Sequence, residues 1–257
     1  MTVDISAVTN PRIKSWFSLR DRKQRDATGL FLVEGFREIE RMAQLDIASD
    51  TLIACPAIVD DHTRRPAQER VVTVSRAAFE KLSYRQNPDG WLAVVRQPPL
   101  DLSDITVSDR PFVVVVEGLE KPGNLGAILR TADSAGADGV VLSDCIVDVF
   151  NPNVVRTAQG SLFAVPIAVA SHSDTAAWLE INSIDLLIAT PEAAQTLWEA
   201  PIGDRVAVLV GAEHSGVSTV LREGAGTVAI PMAGTADSLN AATAAALLMF
   251  EVVRRRQ

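Results

Sequence analysis

The chain has 257 residues, about half of them hydrophobic at 47%, which is enough material for two domains with sizeable cores. No charge-free apolar stretch reaches membrane-span length, and residues 1–10 lack the basic-then-apolar layout of a signal peptide. The formal net charge of −8 argues against a polyanion-binding protein by bulk charge, although a local basic patch makes a phosphate footprint regardless of the total.

In chain order, residues 10–27 read as a basic helix. Between Asn10 and Arg25 it carries Arg12, Lys14, Arg20, Arg22, Lys23 and Arg25 against the single acid Asp21. Spacing alone leaves a solvated helix face and a phosphate-binding face both open. A strand follows at Leu30–Val33, a helix at Phe36–Leu45, strands at Asp50–Cys55 and Val71–Val74, a helix at Arg76–Tyr84, and a strand at Trp91–Val95. This alternation predicts a small α/β sandwich over residues 1–97. The adjacent Pro98 and Pro99 stop both helix and sheet and open a linker over 98–110.

From residue 111 to 257 the pattern becomes regular α/β. Strands are expected at Phe112–Val116, Gly139–Leu142, Val165–Val169, Asp185–Ala189, Val206–Val210 and Thr227–Ile230. The runs Val113–Val116 and Val206–Val210 are unbroken and apolar, which fits strands buried on both faces of a parallel sheet. Helices are expected at Leu125–Ala135, Pro152–Ser161, Thr175–Ile181 and Ser238–Arg255. The last is apolar on most sides and is expected to be buried in a core or against another subunit.

Two cysteines, Cys55 and Cys145, obey no pairing rule and read as reduced core residues of a cytoplasmic protein. His62, His172 and His214 are scattered, so no metal motif is present in the sequence.

Three segments place glycines and small polar residues where an apolar run ends: 120–132, Gly211–Gly216 and 230–240. Ligands of open α/β sheets sit at the carboxyl ends of strands, so three such turns imply one composite site. There is no Gly-Lys-Ser/Thr phosphate loop and no Gly-x-Gly-x-x-Gly turn. In the first segment Asn124 reads as a helix cap or a site residue. Arg130 falls nearly opposite the stripe of Leu125, Ile128, Leu129 and Ala132, as an ordinary exposed arginine or a site residue. Glu213 suits a helix N-terminus, and Asp237 or Ser238 suits a cap.

Together the three segments resemble the SpoU (TrmH-like) RNA ribose 2′-O-methyltransferases of the SPOUT superfamily. The resemblance rests on Asn124-Leu-Gly-Ala-Ile-Leu-Arg130-Thr-Ala, Gly211-x-Glu213-x-x-Gly216 and Ile230-Pro-Met followed by Ser238-Leu-Asn240, and it spans about residues 111–255. The first half is similar to that family's RNA-binding extension, with Asn10-Pro-Arg-Ile-Lys14, Leu30–Gly35 and Gly90–Val95. The resemblance implies an α/β fold with a parallel sheet and a deep trefoil knot, preceded by a ribosomal-protein-like RNA-binding domain. It implies S-adenosylmethionine (AdoMet) as methyl donor, held at Thr190, Gly211, Ile230, Met232 and Leu239. It implies a homodimer with the active site at its interface, and Arg130, Asn124, Glu213, Ser238 and Asn240 as catalytic positions. The basic segment is then assigned to RNA phosphates, with ribosomal RNA favoured over transfer RNA. The competing readings are a transfer-RNA enzyme and a non-catalytic RNA-binding protein that retains the fold. The chain departs from the family in reading Ala241-Ala-Thr-Ala244 after Asn240, where many members carry a second serine.

Overall fold

A computed structural model describes residues 3–60, 71–211 and 217–257. The first helices and strands are α1 (Pro11–Ser18), α2 (Arg22–Thr28), β1 (Leu30–Glu34), α3 (Phe36–Gln44), β2 (Thr51–Ala54), β3 (Val71–Thr73), α4 (Arg76–Leu82) and β4 (Trp91–Arg96). Then come β5 (Phe112–Glu117), α5 (Pro122–Ala135), β6 (Gly139–Ser143), α6 (Pro152–Ala158), β7 (Ile167–Ala170), α7 (His172–Ile181), β8 (Asp185–Ala189) and β9 (Val206–Val210). The chain closes with α8 (Thr219–Arg222), β10 (Gly226–Val228) and α9 (Ala241–Arg256). Two compact units result, one of residues 1–98 with 148–163, the other of residues 99–147 with 164–257.

In the first unit the expected basic helix is two helices. Asn10 caps α1 by accepting the Arg12 amide at 2.9 Å, with Pro11 in the first turn. Asp21 then accepts the Lys23 amide at 3.0 Å and starts α2 afresh. A local carboxylate–amide bond outcompetes helix continuation at that point. Gly29, at φ +65°, ends α2 in the left-handed conformation that a residue with a Cβ rarely adopts. The sheet runs β1-β4-β2-β3, with β4 antiparallel to both neighbours and β3 parallel to β2. Ile13, Trp16 and Leu19 pack with Ile53, Phe79, Leu82 and Leu92 to form its core.

The segment 148–163 joins this unit through aromatic packing. Phe31 lies 4.8 Å from Phe150 and 6.2 Å from Phe163, centroid to centroid. It also supplies Asp148, whose carboxylate pairs with Arg25. Arg25 is only 2% exposed, and its Nη1 donates to the carbonyls of Leu19 and Arg20, each at 2.8 Å. The assignment of Arg25 to RNA phosphates is therefore corrected: its charge is spent inside the unit, holding the α1–α2 junction.

The second unit is a six-stranded sheet, β10-β8-β9-β5-β6-β7, parallel throughout. The two unbroken apolar runs are its centre: β5 and β9 are adjacent, with Val116 opposite Val210, and every residue of both is buried. The start of the expected linker is structured. Asp101 accepts from the Ser103 amide at 3.0 Å in a 3-10 turn, Leu102–Asp104, and the Val169 amide donates to Leu100 O at 3.0 Å. The short helix α8 was not anticipated; Ser218 caps it.

Helix α9 buries Ala241, Ala245, Leu248, Met249 and Val252, and packs on α5. Buried Glu251 accepts hydrogen bonds from Arg254 at 2.7 and 2.8 Å and from Arg255 at 2.7 Å, which pull its pKa down to about 2. Because the folded-state value lies below the unfolded one of about 4.3, this group adds stability above that value and loses it as pH falls towards 2. The stability gap between wild type and Glu251→Gln in urea titrations should therefore shrink steadily from pH 5 to pH 2, and a gap constant with pH would contradict the assignment.

Removing Asp148 strands the buried Arg25 charge. Asp148→Ala should lower stability by about 3 kcal/mol or more, read as an earlier urea midpoint in tryptophan fluorescence, to which Trp16 and Trp91 of this unit contribute.

Candidate cofactor pocket and basic face

An all-parallel sheet brings every strand's carboxyl end to one edge. In the second unit the ends of β8, β9 and β10, with the chain entering α9, enclose a pocket. Its walls include Ala189, Thr190 and Pro191 after β8, Val210 and Gly211 at β9, and Ile230 and Met232 beyond β10. Asp237, Ser238, Leu239, Ala241 and Ala244 complete it. All five positions expected to hold the cofactor, Thr190, Gly211, Ile230, Met232 and Leu239, line this one pocket.

The wall has two chemistries. Val210, Ile230, Met232, Leu239 and Ala244 offer apolar surface. The chain over 231–239 is irregular, and among the described residues its main chain makes no main-chain hydrogen bond. Towards the described residues these main-chain groups are uncommitted. Thr190 is fixed by donation of its amide to Val228 O at 2.9 Å. Its hydroxyl donates to Glu192, and that bond holds the Glu192 carboxyl below the usual range.

The polar positions separate. Asn124 lies in the first turn of α5, but it is not the cap; the helix begins at Pro122 after Lys121. Its Oδ1 accepts from Asn240 Nδ2 at 3.1 Å. Asn240, rather than Ser238 or Asp237, caps α9, accepting the Ala242 amide at 2.9 Å. The two asparagines tie the first turns of α5 and α9 together, and Ser238 stays on the pocket wall. Arg130 is exposed on α5, opposite the buried Leu125, Ile128, Leu129 and Ala132, and is not part of that wall. Among the described residues its guanidinium has no partner. Glu213, His214 and Gly216 lie outside the described residues, as does His62.

Sequence reasoning passed over Glu117 and His172. Glu117 ends β5, is 6% exposed, and accepts the Ser218 amide at 2.9 Å. His172 Nε2 lies 3.2 Å from the same oxygen, and its Nδ1 lies 3.0 Å from Ser143 Oγ. The one available signal was position: Glu117 and Ser143 are the last residues of adjacent strands, and His172 follows a third.

The first unit carries the basic segment. Arg12, Lys14, Arg22 and Lys23 are exposed, with Arg22 3.6 Å from Asp26. Arg20 is half-buried, and its Nη2 donates to the carbonyls of Leu82 and Ser83.

Residues 111–250 match the family model described as the SpoU rRNA Methylase family, and residues 10–93 match that of the MRM3-like substrate binding domain. The chain is 30% identical to a Bacillus subtilis relative named 23S rRNA (guanosine(2553)-2′-O)-methyltransferase RlmP, across 96% of this chain and 98% of that one. It is 31% identical to a Streptomyces viridochromogenes relative named 23S rRNA (uridine(2479)-2′-O)-methyltransferase, across 96% and 91%. Among solved structures, an RNA 2′-O ribose methyltransferase superposes with a TM-score of 0.87 at 40% identity, covering 98% of both chains. The SpoU methyltransferase AviRb of Streptomyces viridochromogenes, in complex with AdoMet, superposes with a TM-score of 0.87 at 30% identity, covering 96% of this chain and 99% of that one. The chain belongs to the SpoU rRNA methylase family.

The asparagine pair can be weighed by substitution. Asn240→Ala removes both the α9 cap and the bond to Asn124 and should cost about 1 kcal/mol, while Asn124→Ala, which leaves the cap intact, should cost less than half of that. Urea unfolding of the two variants checks this, and a neutral Asn240→Ala would remove the cap from the account.

Proposed function

We propose that the protein methylates a ribose 2′-hydroxyl of ribosomal RNA with AdoMet as donor. The observation that carries this reading is the convergence of Thr190, Gly211, Ile230, Met232 and Leu239 on one pocket at the carboxyl edge of the parallel sheet. The residues present suit AdoMet: apolar walls for the adenine and thioether portions, and main-chain groups over 231–239, unpaired among the described residues, for its polar edges. When bound, AdoMet supplies a methyl sulfonium, an electrophilic carbon. Ribosomal RNA is favoured because both full-length relatives above carry 23S rRNA in their names, and because residues 10–93 match a substrate-binding domain.

The protein's own residues then have two tasks. The first is alignment of the 2′-oxygen, which lowers the barrier by several kcal/mol, on the order of 7 or more in the best intramolecular cases. The Asn124–Asn240 bond serves this by fixing the helix that carries Arg130 to the cap that follows Ser238 and Leu239. The second is charge. A guanidinium stays protonated at any physiological pH and accepts no proton. Arg130 therefore binds the RNA phosphate beside the target ribose and polarises the 2′-hydroxyl, and the proton leaves to that phosphate or to water. Glu213 and Ser238 are further polar positions of this site.

The assembly in this reading is a homodimer. Leu247 and Phe250 on α9 are 36% and 48% exposed and share a helix face with Thr243, an apolar strip that a second copy would cover. The trefoil knot belongs to the same reading, placed in the path from β9 to α9. Among the described residues no helix is long and apolar enough to cross a membrane. A cytoplasmic location goes with this reading, since that is where a bacterial-type ribosomal substrate is met.

The test is transfer of labelled methyl from AdoMet to ribosomal RNA lacking native methylation, with calorimetry of AdoMet binding alongside. Arg130→Lys keeps the charge and loses the planar fork. It should bind AdoMet like wild type and transfer methyl about 100-fold more slowly or worse. Near-wild-type turnover would refute the role of Arg130, and label in transfer RNA alone would replace ribosomal RNA as substrate. Failure of wild type to bind AdoMet would favour the non-catalytic reading.

A further inference from the structure

We propose that the exposed ring of Phe17 on α1 is a stacking site for an unpaired nucleobase of the RNA, with Arg20 and Lys81 fixed over the ring and Lys14 beside it to meet the phosphate. The inference rests on the RNA reading above and deepens it. Of the eight phenylalanines, only Phe17 and Phe250 are exposed, and Phe250 belongs to the apolar strip of α9. Phe17 is 37% exposed in the last turn of an eight-residue helix whose inward face, Ile13 and Trp16, is already buried. The helix needs no ring there for its own packing. A phenyl left in water forgoes burial free energy that a flat ligand recovers.

The surroundings of the ring specify what that ligand is. The Arg20 guanidinium carbon lies 4.8 Å from the Phe17 ring centroid and 4.2 Å from that of Tyr84. Arg20 is held by the carbonyls of Leu82 and Ser83. Lys81 Nζ lies 5.4 Å from the Phe17 centroid and donates to Val8 O at 3.3 Å. Both cations are thus placed by main-chain oxygens before any ligand arrives, which reduces the ordering cost of binding. Exposed Lys14 stands three residues before Phe17, on the same side of the helix. The neighbouring carboxylates are engaged: Asp21 with the Lys23 amide, Asp26 with Arg22 and Glu80 with Arg76. A flat aromatic ring with fixed cations lying over it and open surface left for a second flat group, on a chain of net charge −8, matches single-stranded nucleic acid, in which every base has a π-face and every link a phosphate.

The experiment is filter binding of an unmethylated ribosomal RNA transcript across a salt series, with wild type, Phe17→Ala and Phe17→Trp. Phe17→Ala should weaken binding by about 5- to 150-fold, the range of one lost base stack. The slope of log K against log salt should not change, because no phosphate contact is lost. Phe17→Trp should restore affinity, and both variants should stay folded at the assay temperature, with the thermal midpoint of Phe17→Ala lowered by the lost ring contacts and that of Phe17→Trp near wild type. Lys14→Ala should instead flatten the salt slope by about 0.7, the share of one phosphate contact on a single strand. Wild-type affinity in Phe17→Ala, or no rescue by Phe17→Trp, overturns the stacking site while methyl transfer by the wild type leaves the proposed function standing. Such a result would assign the ring to a protein partner. A wild type that binds no RNA overturns both together.

Discussion

The chain's chemistry depends on one constraint: the six strands of the larger sheet are all parallel. A parallel strand cannot return by a hairpin, so each must be followed by a crossover, and all carboxyl ends emerge along the same edge. Burial on both faces enforces this arrangement. β5 and β9 are fully buried, Val116 against Val210, and neither tolerates a polar side chain within its run. Polar and glycine residues are consequently displaced to the strand ends. The pocket is the result: Thr190, Gly211 and Ile230 come from different strands and meet because the sheet gives them one edge.

What could be read from the residues follows from the range of the interactions involved. β5 and β9 were legible because an unbroken valine-rich run has few other uses. The stripe of α5 was legible because helical periodicity is local, and Arg130 is exposed where the wheel places it. The break between α1 and α2 was not legible, since the basic periodicity runs through Leu19-Arg20-Asp21 and only the Asp21–Lys23 bond reveals the new start. The α9 cap was misread for a similar reason. Ser238, Asp237 and Asn240 all suit a cap, and the choice depends on which backbone stays extended. The packing of 148–163 against Phe31 could not be read at all, because aromatic partners more than a hundred residues apart leave no periodic trace.

Arg25 and Arg20 show why counting charges overstates a nucleic-acid face. In sequence they are members of one basic run; in the fold Arg25 is an internal strut between Asp148 and two carbonyls, and Arg20 is clamped to the end of α4. The cations free to release counterions from a phosphate chain are thus fewer than the run implies. Rigidity compensates in kind, because an arginine fixed beside aromatic rings presents a defined surface to a base, whereas a mobile one contributes charge alone.

A departure from the residues that the resemblance implies lies just beyond the pocket wall, at position 242. Where many members carry a serine after Ser-Leu-Asn, this chain has Ala242, which has no side-chain donor. What position 242 supplies here is its amide, given to Asn240 Oδ1 at 2.9 Å, and alanine supplies an amide as well as serine does. The loop over 231–239 likewise presents N–H and C=O groups that are indifferent to the side chains above them. Side-chain identity is demanding where a side chain is itself bonded, as at the Asn124–Asn240 bridge, which needs a donor at the cap of α9 and an acceptor in the first turn of α5.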